Sequence, residues 1–203
     1  VIYSEDAEVI SIKNCLFKNN APIDSYKKSN VGMFYHEDMK ILYIQNCSFI
    51  RNKNNFAGVL HLRKLQYIFC IKLYCSANLG LESYTILSIL RAGSVFLLSS
   101  LFIRNEYSGA IRVIDALMVT VQNSVFVKNM GTNGGAVFVT NGELCLLQNS
   151  TFLNNSASMA GGAVYIKEIK TFKQLNCKMF YNKIKSDGAG LYSYRTNHII
   201  IFN

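Results

Sequence analysis

The feature that most constrains this chain is a repeat of about 26 residues that runs through nearly all of it. Gly-Gly-Ala-Val-Phe at residues 134–138 returns as Gly-Gly-Ala-Val-Tyr at 161–165 and as Gly-Ala-Gly-Leu-Tyr at 188–192. A repeat of this length indicates stacked structural units, because one unit alone cannot bury its apolar face. The positions interpreted as equivalent in this glycine column are Gly32, Gly58, Ser83, Gly109, Gly135, Gly162 and Ala189.

A second motif keeps the same period and reads Asn-(Cys/Ser)-x-Phe-x-x-Asn. In the repeat around Phe102 the first Asn is replaced by Ser99, and the repeat between Tyr67 and Asn78 is degenerate. The first Asn of the motif is Asn14, Asn46, Asn123, Asn149 or Asn176, and the last is Asn20, Asn52, Asn129, Asn155 or Asn182.

Each repeat contains three short runs of β-forming residues and shows no helical periodicity. One run follows the glycine column, the second leads into the first Asn, and the third carries the Phe. Three short strands for every repeat of about 26 residues predict an all-β fold, a right-handed parallel β-helix of about seven to eight coils. Ankyrin and tetratricopeptide repeats would need helices, and a propeller blade needs a longer period.

The second run alternates apolar and polar residues, as in Leu42, Ile44 and Gln45. Extending this alternation by two positions places the first Asn of each motif in the interior. Stacked about 4.8 Å apart, these residues would form a buried hydrogen-bonded ladder, and the Phe after the corner would form an aromatic stack. The predicted ladder is Asn14, Asn46, Asn123, Asn149 and Asn176.

The composition favours a folded rod with a solvated surface. Half of the residues are hydrophobic and there is one proline, which excludes disorder. The net charge is +9, but Lys and Arg are scattered singly and no recognition module is present, so a solvated surface is favoured over nucleic-acid binding. No apolar run reaches the ~18–20 residues of a membrane span. We expect a single β-helix domain over residues 1–203 that is a fragment of a longer chain, since the pattern stops part-way through a coil.

The alternation of Gly-Gly-Ala-(Ile/Val/Leu) with Phe-x-x-Asn resembles the repeat of the chlamydial polymorphic outer-membrane proteins, and related repeats occur in surface proteins of protists such as ciliates. The resemblance covers nearly the whole chain and is strongest from Ser108 to Tyr192. It implies a pectate-lyase-like β-helix that is exposed at a cell surface or secreted, with adhesive or structural roles. It carries over no catalytic residues.

The residue types that carry chemistry do not form a recognisable site. Three of the six cysteines lie in the second position of the Asn motif, where other repeats have serine, which favours small core side chains. Cys15 and Cys47 lie on adjacent coils, so a disulfide between them stays open. The three histidines, His36, His61 and His198, fall in different columns. We expect no catalytic residue and no cofactor.

One acidic cluster offers an alternative. Aligning Tyr3 with Tyr35 stacks Glu5 on Glu37 and Asp6 on Asp38. Four carboxylates at one corner would suit Ca²⁺, or the acid and base of a polysaccharide lyase or hydrolase. A solvated turn is the simpler interpretation, and no metal site is otherwise expected.

Three sequons, at Asn46, Asn149 and Asn154, fit the acceptor pattern for N-glycosylation. Two of them belong to the predicted inward ladder. Asn154 shares a column with Arg51, Arg104 and Lys128, whose long basic side chains indicate a solvent-facing position. We therefore expect Asn154 to be the preferred glycosylation site of a secreted eukaryotic protein.

These patterns favour a non-catalytic structural or adhesive segment of an extracellular or cell-surface protein. Its expected partners are protein or glycan surfaces or further copies of itself, and not nucleic acid. One alternative is a carbohydrate-active enzyme that uses the corner of Glu5, Asp6, Glu37 and Asp38. Another is a self-associating extracellular fibre subunit, whose open coil edges stack on neighbours.

Overall fold

A computed structural model of the chain describes residues 2–21, 34–54, 59–80, 85–106, 109–184 and 188–202. Within these ranges every regular element is a β-strand, and all paired strands are parallel. The chain is a right-handed parallel β-helix, so the predicted fold class is confirmed. Six strands of twelve residues mark about six turns, with partial turns beside them, which is slightly fewer than the seven to eight coils expected.

In chain order the strands are β1 (Ile2–Glu5), β2 (Val9–Lys13), β3 (Leu16–Lys18), β4 (Phe34–Gln45), β5 (Ser48–Ile50), β6 (Lys53–Asn54), β7 (Leu60–Ile71), β8 (Tyr74–Ser76), β9 (Leu79–Gly80), β10 (Leu87–Leu98), β11 (Leu101–Ile103), β12 (Ile111–Gln122), β13 (Val125–Val127), β14 (Met130–Asn133), β15 (Val137–Gln148), β16 (Thr151–Leu153), β17 (Ser156–Ala160), β18 (Val164–Leu175), β19 (Lys178–Phe180), β20 (Lys183–Ile184), β21 (Leu191–Tyr194) and β22 (His198–Phe202).

The strands form sheets that run along the rod. The long sheet follows the order β1-β4-β7-β10-β12-β15-β18-β21, with β2 paired to β4 and β22 paired to β18. The short sheet contains the seven three-residue strands in the order β19-β16-β13-β11-β8-β5-β3. The third side carries β14-β17-β20 and, separately, β6-β9. These third-side strands follow the last Asn of the motif and were not predicted from the sequence.

Each long strand bends near its middle at one residue with left-handed backbone geometry. In β4 this residue is Asp38, with φ 53°, and in β12 it is Asp115, with φ 57°. The bend joins the first and second runs of each repeat, so the two separate strands expected there are one bent strand. We call the two halves the first arm, before the bend, and the second arm, after it.

Left-handed residues form three columns along the rod, one at each change of direction. Most are Asn, Asp or charged residues; Asn and Asp tolerate this geometry best. The bend column is Asp6, Asp38, Lys64, Arg91, Asp115, Asn141, Glu168 and Arg195. The first corner, between the second arm and the short sheet, is Asn14, Asn46, Lys72, Ser99, Asn123, Asn149 and Asn176. The second corner, after the short sheet, is Asn19, Arg51, Ala77, Arg104, Lys128, Asn154 and Tyr181.

A left-handed residue shifts the alternation of inward and outward side chains by one position. His36 is buried, Asp38 is exposed, and Met39 directly after it is buried. In the same way Cys47 and Asn52, which follow left-handed residues, are both buried. The alternation therefore does not continue across a bend or a corner.

The core consists of inward columns that stack from coil to coil. Phe49, Phe102, Phe126 and Phe152 are fully buried. The ring of Phe126 stacks between those of Phe102 and Phe152, with centroids 5.2 and 5.0 Å away. The predicted aromatic stack is confirmed here, although Cys75 occupies the Phe column in the degenerate coil.

The register corrects one member of the glycine column. β10 pairs Leu87 with Leu60 on one side and with Ile111 on the other. Thr85, two residues before Leu87, is thus the equivalent of Gly109, and not Ser83. Ser83, Gly32 and Gly58 lie outside the described residues. Gly135 shows why the column favours glycine: a Cβ atom there would lie 2.4 Å from the carbonyl oxygen of Gly162 in the next coil.

Candidate functional site

The first Asn of each motif lies on the surface, so the predicted ladder is wrong. The structure places Asn14, Asn46, Asn123, Asn149 and Asn176 in exposed positions with φ between 49° and 55°. Left-handed geometry turns these side chains outward, because it interrupts the alternation from which the ladder was predicted.

The buried ladder is made by the last Asn of each motif. Asn129 is typical: its Nδ2 donates to the carbonyl oxygen of Phe102 (3.0 Å) and to Oδ1 of Asn155 (3.0 Å). Its Oδ1 accepts from the backbone N–H (3.1 Å) and from Nδ2 (2.9 Å) of Asn105. The amide therefore makes four hydrogen bonds, so burial costs it little. The same ladder runs through Asn20, Asn52, Asn78, Asn105, Asn129, Asn155 and Asn182.

A shorter ladder of hydroxyl groups stands just after the first corner. Ser124 Oγ donates to its neighbouring carbonyl at Gln122 (2.9 Å) and accepts from the backbone N–H of Ser100 (3.1 Å). Cys47 makes the equivalent bond from Sγ to the carbonyl oxygen of Gln45 (3.2 Å). Both groups fit the same small inward position, as the exchange of Cys and Ser in the sequence predicts.

The six cysteines are free thiols, so no disulfide joins Cys15 to Cys47. All except Cys15 are buried. Burial raises the pKa of Cys70 and of Cys145 to about 12, and that of Cys75 well above its ordinary value. A nucleophilic cysteine needs a lowered pKa and access to solvent, and these three have neither.

The acidic corner forms with the predicted register, and two of its carboxylates, Glu37 and Asp38, are engaged by cations. Glu5 pairs with Glu37 across adjacent coils. Glu37 accepts a hydrogen bond from Tyr35 and lies 3.2 Å from Nζ of Lys64, which also lies 3.0 Å from Asp38. The hydrogen bond from Tyr35, together with Lys64 and Arg63, holds the pKa of Glu37 below its ordinary value.

Of the proposed corner of Glu5, Asp6, Glu37 and Asp38, these pairs occupy Glu37 and Asp38, and Glu5 accepts a hydrogen bond from Tyr3 (2.7 Å). Across the described part of the chain, no group of three or more His, Cys, Asp and Glu residues has the geometry to hold one. An acid catalyst also needs a raised pKa, whereas the pKa of Glu37 is lowered.

The histidines do not form a catalytic group with one another. His36 is fully buried and its Nδ1 shares a hydrogen bond with Ser4. His61 lies on the outer face of the first arm and stacks on Tyr35, with centroids 5.5 Å apart. Burial lowers the pKa of both rings, that of His61 to about 4. His198 is exposed, more than 130 residues further along the chain.

An open groove of about 710 Å³ lies along the bend. Six of its polar lining residues are paired across neighbouring coils. Asn141 donates to Asp115 (2.9 Å), Arg195 to Glu168 (3.2 Å), and Lys170 lies 3.0 Å from Glu143. Cross-coil pairs of this kind hold adjacent turns in register. Both basic residues of the groove are thus paired with carboxylates.

A smaller cavity of about 310 Å³ lies on the first arm, between Tyr35, His61, Arg63, Ser88 and Arg112. Its two guanidinium groups already have partners. Arg63 lies 3.6 Å from Glu37, and Arg112 lies over the ring of Phe138, 5.3 Å from its centroid.

The folded rod separates its charges, although they are scattered in the sequence. Around the first arm and the bend, the described acidic and basic residues are equal in number. The acidic residues are Glu5, Asp6, Glu8, Glu37, Asp38, Asp115, Glu143 and Glu168. The basic residues are Lys40, Arg63, Lys64, Arg91, Arg112, Lys167, Lys170 and Arg195. On the rest of the described surface the basic residues are Lys13, Lys18, Arg51, Lys53, Lys72, Arg104, Lys128, Lys173, Lys178 and Lys183, and the acidic one is Glu106. An alignment of the repeats could have shown this separation of charge in the sequence, because residues one period apart lie on the same side of the rod.

The three sequons are all accessible. Asn154 is exposed and shares the second corner with Arg51, Arg104 and Lys128, as predicted. Asn46 and Asn149 are exposed too, so the prediction that these two sequons point into the interior is wrong. Glycosylation of Asn154 stays a prediction, but exposure no longer favours Asn154 over Asn46 and Asn149.

No protein-family model, no curated protein and no solved structure matches this chain. In the described ranges there is also no helix of the length and apolarity needed to cross a bilayer.

Proposed function

We propose that this chain is a non-catalytic, structural or adhesive segment of an extracellular or cell-surface protein. The observation that supports this most is how the polar groups of the rod are used. The Asn ladder and the Ser/Cys column make hydrogen bonds to the backbone of neighbouring coils. Glu5, Glu37 and Asp38 of the acidic corner and the three carboxylates of the bend groove are bonded to Lys, Arg, Asn or Tyr partners. These groups hold coils together, which is the requirement of a rigid scaffold.

The resemblance to chlamydial polymorphic outer-membrane proteins and to protist surface proteins adds to this proposal. The Phe-x-x-Asn half of that repeat supplies the buried Phe stack and the Asn ladder. A cell-surface or secreted location follows from that resemblance, as do protein, glycan or self partners and a role in adhesion. The three exposed sequons are compatible with passage through a eukaryotic secretory route.

A carbohydrate-active enzyme remains the rival proposal, and it needs a carboxyl group of raised pKa opposite a second carboxylate. The test is to incubate the chain with polygalacturonate, alginate and neutral glucans, with and without Ca²⁺, and to measure unsaturated products and new reducing ends. We expect neither. Cleavage that disappears in Glu37→Gln and persists in Glu143→Gln would establish the rival.

Adhesion is tested separately. Beads coated with the chain should bind to cells more than beads coated with heat-denatured chain, in the absence of any cleavage activity. A fibre subunit would instead show concentration-dependent light scattering before any cells are added. Beads that bind no better than the denatured control, with a chain that stays monomeric, would contradict both roles.

A further inference from the structure

We propose that the short sheet and its second corner form a surface that docks on an anionic lipid bilayer. This proposal rests on the proposed adhesive role and deepens it by naming a lipid bilayer as the surface to which the chain binds. It starts from the outward side chains of the three-residue strands, which sequence analysis did not assign.

The outer face of the short sheet is largely apolar. The middle residue of each strand points inward, and the two flanking residues point outward. The column next to the second corner contains Ile50, Ile103, Val127, Leu153 and Phe180. The other outward column includes Leu101 and Val125, and Val125 has 36% of its surface exposed. Seven strands about 4.8 Å apart extend this face over roughly 29 Å.

Cations stand directly beside this apolar column. Arg51 follows Ile50, Arg104 follows Ile103, and Lys128 follows Val127. All three have left-handed geometry, and all three are exposed at the second corner. We call the apolar column and these three residues the basic strip. Among the described residues of the short sheet and its two corners, Lys18, Lys72 and Lys178 add further positive charge and no acidic residue is present.

The charge pattern indicates which binding partner fits the basic strip. A second copy docked through the same strip would bring like charges together, which is unfavourable. Nucleic acids and acidic polysaccharides offer negative charge but no acyl hydrocarbon for the Ile, Val and Leu side chains that make up most of the apolar column. An anionic bilayer offers both: phosphate and carboxylate groups for Arg and Lys, and an acyl boundary for the apolar column.

The chain supplies a matched pair of variants to test this. Asn already occupies the second corner at Asn19 and Asn154, so the triple variant Arg51→Asn, Arg104→Asn, Lys128→Asn removes three charges without opposing the backbone geometry. The control triple is Lys40→Asn, Arg91→Asn, Lys170→Asn on the bend side. There Asn141 occupies the column of Arg91, and Asn197 the column of Lys40 and Lys170.

The measurement is co-sedimentation of the chain with vesicles of phosphatidylcholine alone or with 30 mol% phosphatidylserine. We expect binding to the anionic vesicles only, weakened by salt. Each Lys or Arg near an anionic surface is worth about fivefold in affinity, so the strip triple should bind about 100-fold more weakly. The control triple should stay within about threefold of the unchanged chain. Lys40 and Lys170 are paired with Glu8 and Glu143, and Arg91 is next to Asp115 in the bend column.

The absence of Trp from the chain permits a second readout. Val127→Trp places a single fluorophore in the basic strip, and Leu117→Trp places one on the exposed bend side. Emission of the strip Trp should shift to shorter wavelength with anionic vesicles and be quenched by brominated lipids, whereas the bend Trp should not change.

Several results would overturn the inference: equal binding to neutral vesicles, no binding to anionic vesicles at low salt, equal losses in the two triples, or binding to heparin or DNA without binding to vesicles. Failure of this kind with continued bead adhesion would leave the adhesive role intact, because adhesion would then use another surface. If the strip triple variant loses bead adhesion and the control triple variant keeps it, both the adhesive role and the membrane-docking surface are supported.

Discussion

The sharpest test of the structure compares two asparagines of the same motif, Asn129 and Asn123. Asn129→Ala removes four side-chain hydrogen bonds and leaves the buried backbone N–H of Asn105 without its acceptor. At about 1 kcal/mol for each bond, and with one buried donor orphaned, the free energy of unfolding should fall by roughly 3–5 kcal/mol. Asn123→Ala alters an exposed left-handed residue and should cost about 1 kcal/mol, from the geometry alone.

The assay is chemical denaturation followed by far-ultraviolet circular dichroism, with the same slope fitted to all variants. Asn123→Gly is a further control, because glycine adopts positive φ freely, and it should leave the midpoint nearly unchanged. Equal losses for Asn129→Ala and Asn123→Ala, or a larger loss at Asn123, would refute the assignment of the ladder to the last Asn of the motif.

Three further outcomes are expected. Phe126→Ala should lower the free energy of unfolding by ~3–5 kcal/mol, since it empties a fully buried site between two stacked rings; a loss below 1 kcal/mol in the same denaturation assay would place the ring on the surface. Cys70 and Cys145 should not react with an aromatic disulfide reagent at pH 8 until denaturant is added, and rapid labelling of the native chain would contradict their burial. Because burial lowers the pKa of His61 from 6.5 to about 4, the unfolded chain binds the proton more readily, so stability should fall as pH drops below 6.5 and level off near 4, by at most about 3 kcal/mol. His61→Tyr, the residue type present at Tyr35 in the same column, should reduce this pH dependence, and an unchanged profile would assign it elsewhere.

The period of the sequence was sufficient to predict the fold. Glycine turns and Phe-x-x-Asn return often enough to place Phe126 over Phe102 and under Phe152, where the structure has them. Glu5 over Glu37 followed from the same alignment. Stacking of equivalent residues is a property of the repeat, so no knowledge of backbone geometry was needed.

The wrong ladder has a physical cause that alternation cannot reveal. Counting by two from Ile44 reaches Asn46, but Asn46 has φ 51°, and a left-handed residue shifts the count by one. Cys47 then points inward and Asn46 outward. The column of Arg51, Arg104 and Lys128 indicated in the sequence where the buried ladder lies. These three long basic side chains are expected to be exposed, and each stands directly before the last Asn of its motif. A second corner at this column turns that Asn into the interior.

The separation of charge was missed for a different reason. Arg51 and Lys128 look isolated in sequence, since each is surrounded by apolar and polar neighbours. Their common side appears only when the register of every coil is known, including the degenerate coil where Thr85 replaces the expected Ser83. Predicting the distribution of charge on the surface thus requires a correct alignment of every coil. Predicting the fold requires a correct alignment of most coils only.

The direction of the hydrogen bonds in this fold has a mechanical consequence. The strands run across the rod, so the backbone bonds between coils and the bonds of the Asn ladder lie along its length. A force that pulls the two ends of the rod apart therefore loads the bonds of one terminal coil at a time, and the rod should yield in steps instead of failing at once. Each step releases one repeat of about 26 residues, or roughly 90 Å of extended chain. A segment built this way between two attachment points would act as an extensible tether that absorbs work coil by coil.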